Sequence, residues 1–348
     1  MDNKDFEKLK KIKERGALNY KAVEILASYL NKCPRLITED TVKEITGGDK
    51  NCDETAVRAF LASAFIEDEK LERLIENEYF KKGIRKLDPE KYENDPYFKN
   101  IKINPKRIGN CSLGYETYEP YECFVCNESI CVGDFTEIPQ IGFFDNRFSF
   151  PAVFENGVEW MAIKPNEIET MREHIEKSHG KVVAFGLGLG YFAYMASEKE
   201  SVSGVTIIEQ NENVISLFEN NILPKFSHPE KIRIIKYDAF EYVKEKMGGE
   251  VYDFAFVDLW HDVSDGTEMY IKMKKSEHFA PKTEFSYWIE RSILLFIRWK
   301  LFDKLLEGVD LEKGDTVSTE NEKFKSLTLA QIENVLSPDY LKNFVKFI

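Results

Sequence analysis

The chain is short of positive charge: 48 Lys and Arg stand against 61 Asp and Glu in 348 residues, a formal net charge of −13. A field of that sign repels phosphate backbones, and no basic cluster in the sequence offsets it, so no nucleic-acid partner is expected. Long apolar runs are missing as well. The longest, SILLFIRW at 292–299, falls far short of the ~20 residues that cross a bilayer. The opening MDNKDFEKLKK lacks the apolar core of a signal peptide, so a cytoplasmic protein without a membrane partner is expected. Cysteines number six, and in a reducing compartment they are expected to stay free of disulfides. Internal repeats and low-complexity segments are absent too.

What is present is a full apolar complement, 43% hydrophobic and 13% aromatic, enough for more than one domain. Residues 1–87 read as helices, because Val57, Phe60, Leu61 and Ala64 recur at helical spacing. Asp53 is a candidate N-cap there and Gly47-Gly48 a break before it. Residues 88–163 read as a linker, from Asp88 to about Pro105, followed by an antiparallel β-hairpin module. Its turn signals are Asn127-Glu128, Val132-Gly133-Asp134, Asp145-Asn146 and Asn156-Gly157. Residues 164–310 read as alternating strands and helices, with a helix opening at Pro165 and another carrying Leu294, Ile297, Leu301 and Leu305. Residues 311–348 read as C-terminal helices that start near Thr328 and at Ser337-Pro338.

Cys123 and Cys126, with Cys131 and Cys111 nearby, raise the question of zinc. There is one CxxC, with no second pair and no nearby histidine to complete four ligands. If 121–126 is a regular strand, Cys123 and Cys126 point to opposite faces. Buried apolar cysteines without metal are the expectation.

The alternating segment carries the most information. Lys181–Gly190 reads KVVAFGLGLG, an apolar run that stops in three glycines, and VTIIE ends a second run on Glu209. A buried parallel strand is a continuous apolar run, and glycines directly after it let the backbone turn sharply against a ligand. An acid at the tip of the next strand is placed to accept bonds from ribose hydroxyls. Two further runs end in acids, KIRIIKYDA at Asp238-Ala239 and YDFAFVDLWHD at Asp258. A dinucleotide fingerprint fits less well: counted from Gly186 it meets Tyr191 where a small residue is needed, and only the looser G-x-G-x-x-A form fits, from Gly188 to Ala193.

Regular strand–helix alternation with acids at successive strand ends resembles the class I S-adenosylmethionine-dependent methyltransferases. The order of a β-hairpin module and then the glycine strand is similar to spermidine synthases within that superfamily. The likeness covers roughly residues 150–262. It implies an α/β, Rossmann-like sheet and S-adenosylmethionine as cofactor. Gly186, Leu187, Gly188 and Gly190 would lie under the methionine part, Glu209 and Gln210 at the ribose, and Asp238 and Ala239 at the adenine. Asp258 would stand by the transferred group. The resemblance further implies a methyltransferase acting on a small-molecule acceptor, with aminopropyl transfer as the alternative; a homodimer is left open.

Two positions depart from the pattern. Methyltransferases carry an acid two residues before the first glycine, where this chain has Ala184, and spermidine synthases carry Asp where this chain has Leu189. Both usual partners of the donor's ammonium are thus apolar, which keeps a third alternative open, an inactive nucleotide-binding module. Asp258, Trp260, His261 and Asp262 cluster in the loop beside the expected methyl group. His261 could take a proton from an acceptor, since histidine titrates near neutrality, and Trp260 could face a cationic substrate. The plainer alternative is that Asp262 or Ser264 caps the next helix and His261 is a surface residue. The antiparallel strand pair that ends the sheet of full methyltransferase folds is not visible in the sequence.

Overall fold

Five strands form one parallel sheet: β1 (Gly180–Phe185), β2 (Val202–Glu209), β3 (Ile232–Lys236), β4 (Phe254–Val257) and β5 (Glu284–Tyr287). In this computed structural model, which describes residues 3–249, 251–307, 309–311, 315–316 and 328–345, their spatial order is β3-β2-β1-β4-β5. Every neighbouring pair is parallel. The helices around them are α1 (Pro165–Lys177), α2 (Tyr191–Ser197), α3 (Glu212–Asn221), α4 (Ala239–Glu245) and α5 (Val263–Ser276). Val182, Val183, Phe185, Phe254, Ala255 and Val257 are fully buried, as central strands of a parallel sheet must be when both faces are covered. This is the expected Rossmann-like α/β sheet. The strand order reverses between β1 and β4, which opens a crevice at the carboxyl edge of those two strands. Among the described residues the sheet stops at five strands.

A second, antiparallel sheet holds the strands Lys106–Ile108, Cys111–Tyr118, Phe148–Glu155 and Val158–Ala162. Its last hairpin turns on Asn156 (φ 52°) and Gly157 (φ 83°), the two positive φ values that an Asn-Gly hairpin turn needs. Asn127-Glu128, read above as a turn, instead lies inside the strand Phe124–Val132. That strand and Thr136–Phe143 belong to a separate three-stranded sheet. The expected linker also differs: it contains two short helices, Pro89–Glu93 and Pro96–Asn100, capped by Asp88 and Asp95. An Asp-Pro pair supplies both a capping carboxylate and a preset first helical φ, which explains them.

The four consecutive segments read from the sequence give way to two interleaved units. Residues 86–122 and 142–289 form one, and the described residues of 1–85, 123–141 and 290–348 form the other. In the second unit the long helices fall where apolar spacing put them, at Asn3–Lys32, Glu39–Thr46 and Asp53–Phe65. Asp53 is not the cap, however; it is the first helical residue, after Cys52. The helix Glu290–Leu305, expected to close the nucleotide-binding segment, belongs here because its polar residues are partnered here. Arg298 bonds Glu137 (3.1 Å) and the Leu336 carbonyl (3.0 Å), and Trp299 Nε1 donates to Glu137 (2.7 Å). Thr328 and Ser337 cap the expected C-terminal helices Leu329–Val335 and Pro338–Phe344. Gly308 and residues 312–314 and 317–327 lie outside the described residues. Among the described residues no helix is long and apolar enough to cross a membrane.

Glu137 thus satisfies a buried guanidinium and a half-buried indole at once, with its own side chain only 13% exposed. Replacing Glu137 with Ala strands both donors and is expected to cost about 3–5 kcal/mol, the range for breaking one side of a buried ion pair. Urea denaturation checks it, and a loss below about 1 kcal/mol would contradict the assignment.

Candidate functional site

The crevice at the carboxyl edge holds a cavity of about 350 Å³. Its walls bring together Gly186, Leu187, Gly188, Glu209, Gln210, Asp238, Ala239, Asp258 and His261, all of them singled out from the sequence. Gly190 lines a smaller adjoining space with Leu187, Leu189 and Asp258. The backbone after β1 can take this path only as glycine. Gly186 has φ +97° and a Cβ there would run into the carbonyl oxygen of Asp258; Gly188 has φ +51° and a Cβ would strike Met161 Sδ. The turn is also tied from outside, since Tyr97 donates its hydroxyl to the Leu189 carbonyl (2.6 Å).

Glu209 is 8% exposed and braces that turn. It accepts the Leu187 N–H (3.2 Å) and the Asn211 N–H (2.7 Å). Burial raises its carboxyl above the usual range, and the backbone bonds work against that shift. A carboxylate has about four acceptor positions, so two bonds leave capacity for ribose hydroxyls. Asp238 caps α4 through the N–H groups of Phe240 and Glu241, each at 2.9 Å. Its capping and pocket-lining positions coincide.

At the tip of β4 the sequence reading needs revision. Asp262 caps α5, with Asp265 completing the capping box. His261 lines the cavity but is largely exposed and pairs with Asp265 (3.1 Å). Trp260 is only 4% exposed and packs over Gly266 of α5, so it does not present an open aromatic face. Its indole N–H is buried without a partner.

The more open aromatic is Trp160, which the sequence did not single out. In the strand Val158–Ala162, Met161 pairs with Val153 and Glu159 with Phe154, so Trp160 is the extra residue of a β-bulge. A bulge breaks the strict alternation of faces, and Glu159, Trp160 and Met161 all line the cavity in succession. Trp160 comes to 6.3 Å from the His261 ring. Three more polar residues were missed: Glu159, Lys164 and Glu167. Lys164 is ion-paired to Glu159. Burial first, and then the nearby Asp258 charge, hold the Glu167 carboxyl well above the usual range. Burial alone pushes Asp258 up to about 7. The Asp-Pro and Asn-Gly motifs were readable, but nothing local marks a bulge or says which exposed glutamate a crevice will collect.

The cysteines do not gather. Cys111 belongs to the unit that holds the cavity and Cys123, Cys126 and Cys131 to the other. Cys123 precedes its strand rather than lying in it. Among the described residues no group of three His, Cys, Asp or Glu is placed to hold a metal, and none of the six cysteines is in a disulfide.

No protein-family model matches the chain, and a search of curated proteins finds no match. Among solved structures it is similar to a spermidine synthase from Thermotoga maritima, at 14% identity over 40% of this chain and 52% of that one, with a TM-score of 0.31. It is similar to a spermidine synthase in complex with the transition-state analogue AdoDATO at 15% identity, 40% and 54% coverage and a TM-score of 0.32. A conserved hypothetical protein of Streptococcus pyogenes follows at 15% identity, 34% and 69% coverage and a TM-score of 0.28. The matches span about half the length of the two spermidine synthases. The fold assignment rests on the strand order described above.

Asp258 has a consequence for stability. A carboxyl raised to about 7 in the folded chain, against about 3.9 when unfolded, binds its proton more tightly when folded. Its contribution is neutral in acid and turns unfavourable as pH rises from the unfolded value through about 7. Asp258→Asn keeps the shape without the charge. Thermal melts are expected to show the variant more stable than wild type at alkaline pH, the gap closing in acid. A less stable variant throughout would mean the charge has a partner.

Proposed function

We propose that the chain is a transferase that uses S-adenosylmethionine to methylate a small amine acceptor. One observation carries this reading: the glycine turn, Glu209, Asp238 and Asp258 converge on a single cavity at the switch point of a parallel sheet, where open α/β sheets bind ligands. The residues fit an adenosyl group. Glu209 has spare acceptor capacity for two ribose hydroxyls, and Asp238, Ala239 and Phe240 form an edge for the base. When bound, the donor supplies a methyl group made electrophilic by its sulfonium.

The chain's part is to position and to handle one proton. Methyl transfer is an in-line displacement, so alignment of the two reactants supplies much of the rate. Asp258, with a carboxyl pushed up to about 7, is matched to accept the proton that an acceptor ammonium must lose to become the attacking amine. Glu167 and Asp258 in the cavity wall favour a cationic acceptor over an anionic one, and Trp160 adds an aromatic surface.

A second reading is aminopropyl transfer from the decarboxylated donor, and a specific feature favours it. Among the described residues the one Lys or Arg lining the cavity, Lys164, is already paired with Glu159, and no second lysine or arginine of those residues lines it for the donor's carboxylate. Calorimetry with both donors separates the readings by affinity. Binding of a nucleoside without turnover on any amine would favour the inactive module.

Glu209→Ala removes charge-assisted hydrogen bonds worth about 1.5–3 kcal/mol each, so donor affinity is expected to fall tenfold or more. Equal binding by wild type and variant would remove Glu209 from the ribose. Turnover is expected to rise with pH through about 7, as Asp258 loses its proton and becomes a base, and Asp258→Asn is expected to flatten that limb. A limb that survives the substitution would assign the base elsewhere.

A further inference from the structure

Glu167 sits in the first turn of α1 and lines the cavity beside Gly186, Leu187 and Asp258. It also lines the smaller adjoining space, again with Asp258. Lys164 is ion-paired to Glu159 and its charge also reaches Glu167, but among the described residues neither the Glu167 nor the Asp258 carboxylate has a hydrogen-bond or ion-pair partner of its own. Two recessed acids sharing one space are held apart in protonation unless a cation comes between them. The positions from which the resembled families supply an acid are apolar here, Ala184 and Leu189, and both line the smaller space that Glu167 also lines.

We propose that Glu167 and Asp258 form a binding site for a primary alkylammonium group, with Glu167 supplying from α1 the charge that positions 184 and 189 lack. The inference rests on the adenosyl-donor reading of the cavity and extends it. The ammonium can come from the amino-acid tail of the donor or from the acceptor amine. Glu167 sits on a helix outside the parallel sheet, so the charge reaches the cavity from the α1 side rather than from the glycine turn.

Calorimetry on wild type and Glu167→Gln with three probes tests this. 5′-Methylthioadenosine has the nucleoside and no ammonium, S-adenosylhomocysteine adds the ammonium, and 1,4-diaminobutane has ammonium groups and no nucleoside. Methylthioadenosine is expected to bind both proteins within twofold, which also reports an intact fold. A tenfold or greater loss for S-adenosylhomocysteine in the variant assigns the site to the donor, and the same loss for diaminobutane assigns it to the acceptor. Unchanged affinity for both ammonium probes, or failure of both to bind wild type, overturns the site. Failure of methylthioadenosine alone on wild type removes the nucleoside reading instead, and the diamine result still decides the ammonium site.

Discussion

The carboxyl edge of the parallel sheet depends on how closely the turn after β1 is approached. The carbonyl of Asp258 closes in behind Gly186 and Met161 Sδ covers Gly188, so the tip of β4 and the last hairpin strand meet over one stretch of bare backbone. Glu209 then fastens the turn from the third side by accepting the Leu187 N–H. Remove the glycines and these three pieces cannot occupy their places together. The cavity exists because backbone, not side chain, fills the middle of the crevice.

The electrostatics follow from that geometry. Drawing Asp258 in beside the turn takes its carboxyl out of water and leaves it without a partner, the kind of local cost that functional sites carry and the surrounding fold offsets. Glu209 escapes the same cost in part, because two backbone N–H groups face it. Asp238 is spared by its helix cap. The half of the cavity nearer Glu209 and Asp238 therefore has its carboxylates largely satisfied by backbone, while the half nearer Glu167 and Asp258 does not.

This division also marks what the sequence could convey. Glu209, Asp238 and Asp258 were legible because each closes an apolar run, and strand ends converge in any parallel sheet. The glycine turn was legible for the same reason. Trp160, Glu159 and Glu167 were not, because their place in the cavity comes from a bulge and from the docking of α1, both set by tertiary packing. Trp260 was misread since its neighbour Gly266, one turn into α5, draws it into the core. The helix Glu290–Leu305 was assigned to the wrong unit because its apolar spacing is indifferent to which surface it covers. Only the pairing of Arg298 and Trp299 with Glu137 decides that.

The same pairing sets an order of events during synthesis. Glu137 waits 161 residues for Arg298 and 162 for Trp299. Until the ribosome has passed that point its carboxylate can stay hydrated but cannot be buried with its native partners. The strands and helices of residues 142–289 are all made within that interval. The core of the unit that contains the N-terminus therefore cannot be completed until residues beyond 298 have been made, and its closure spans a long loop.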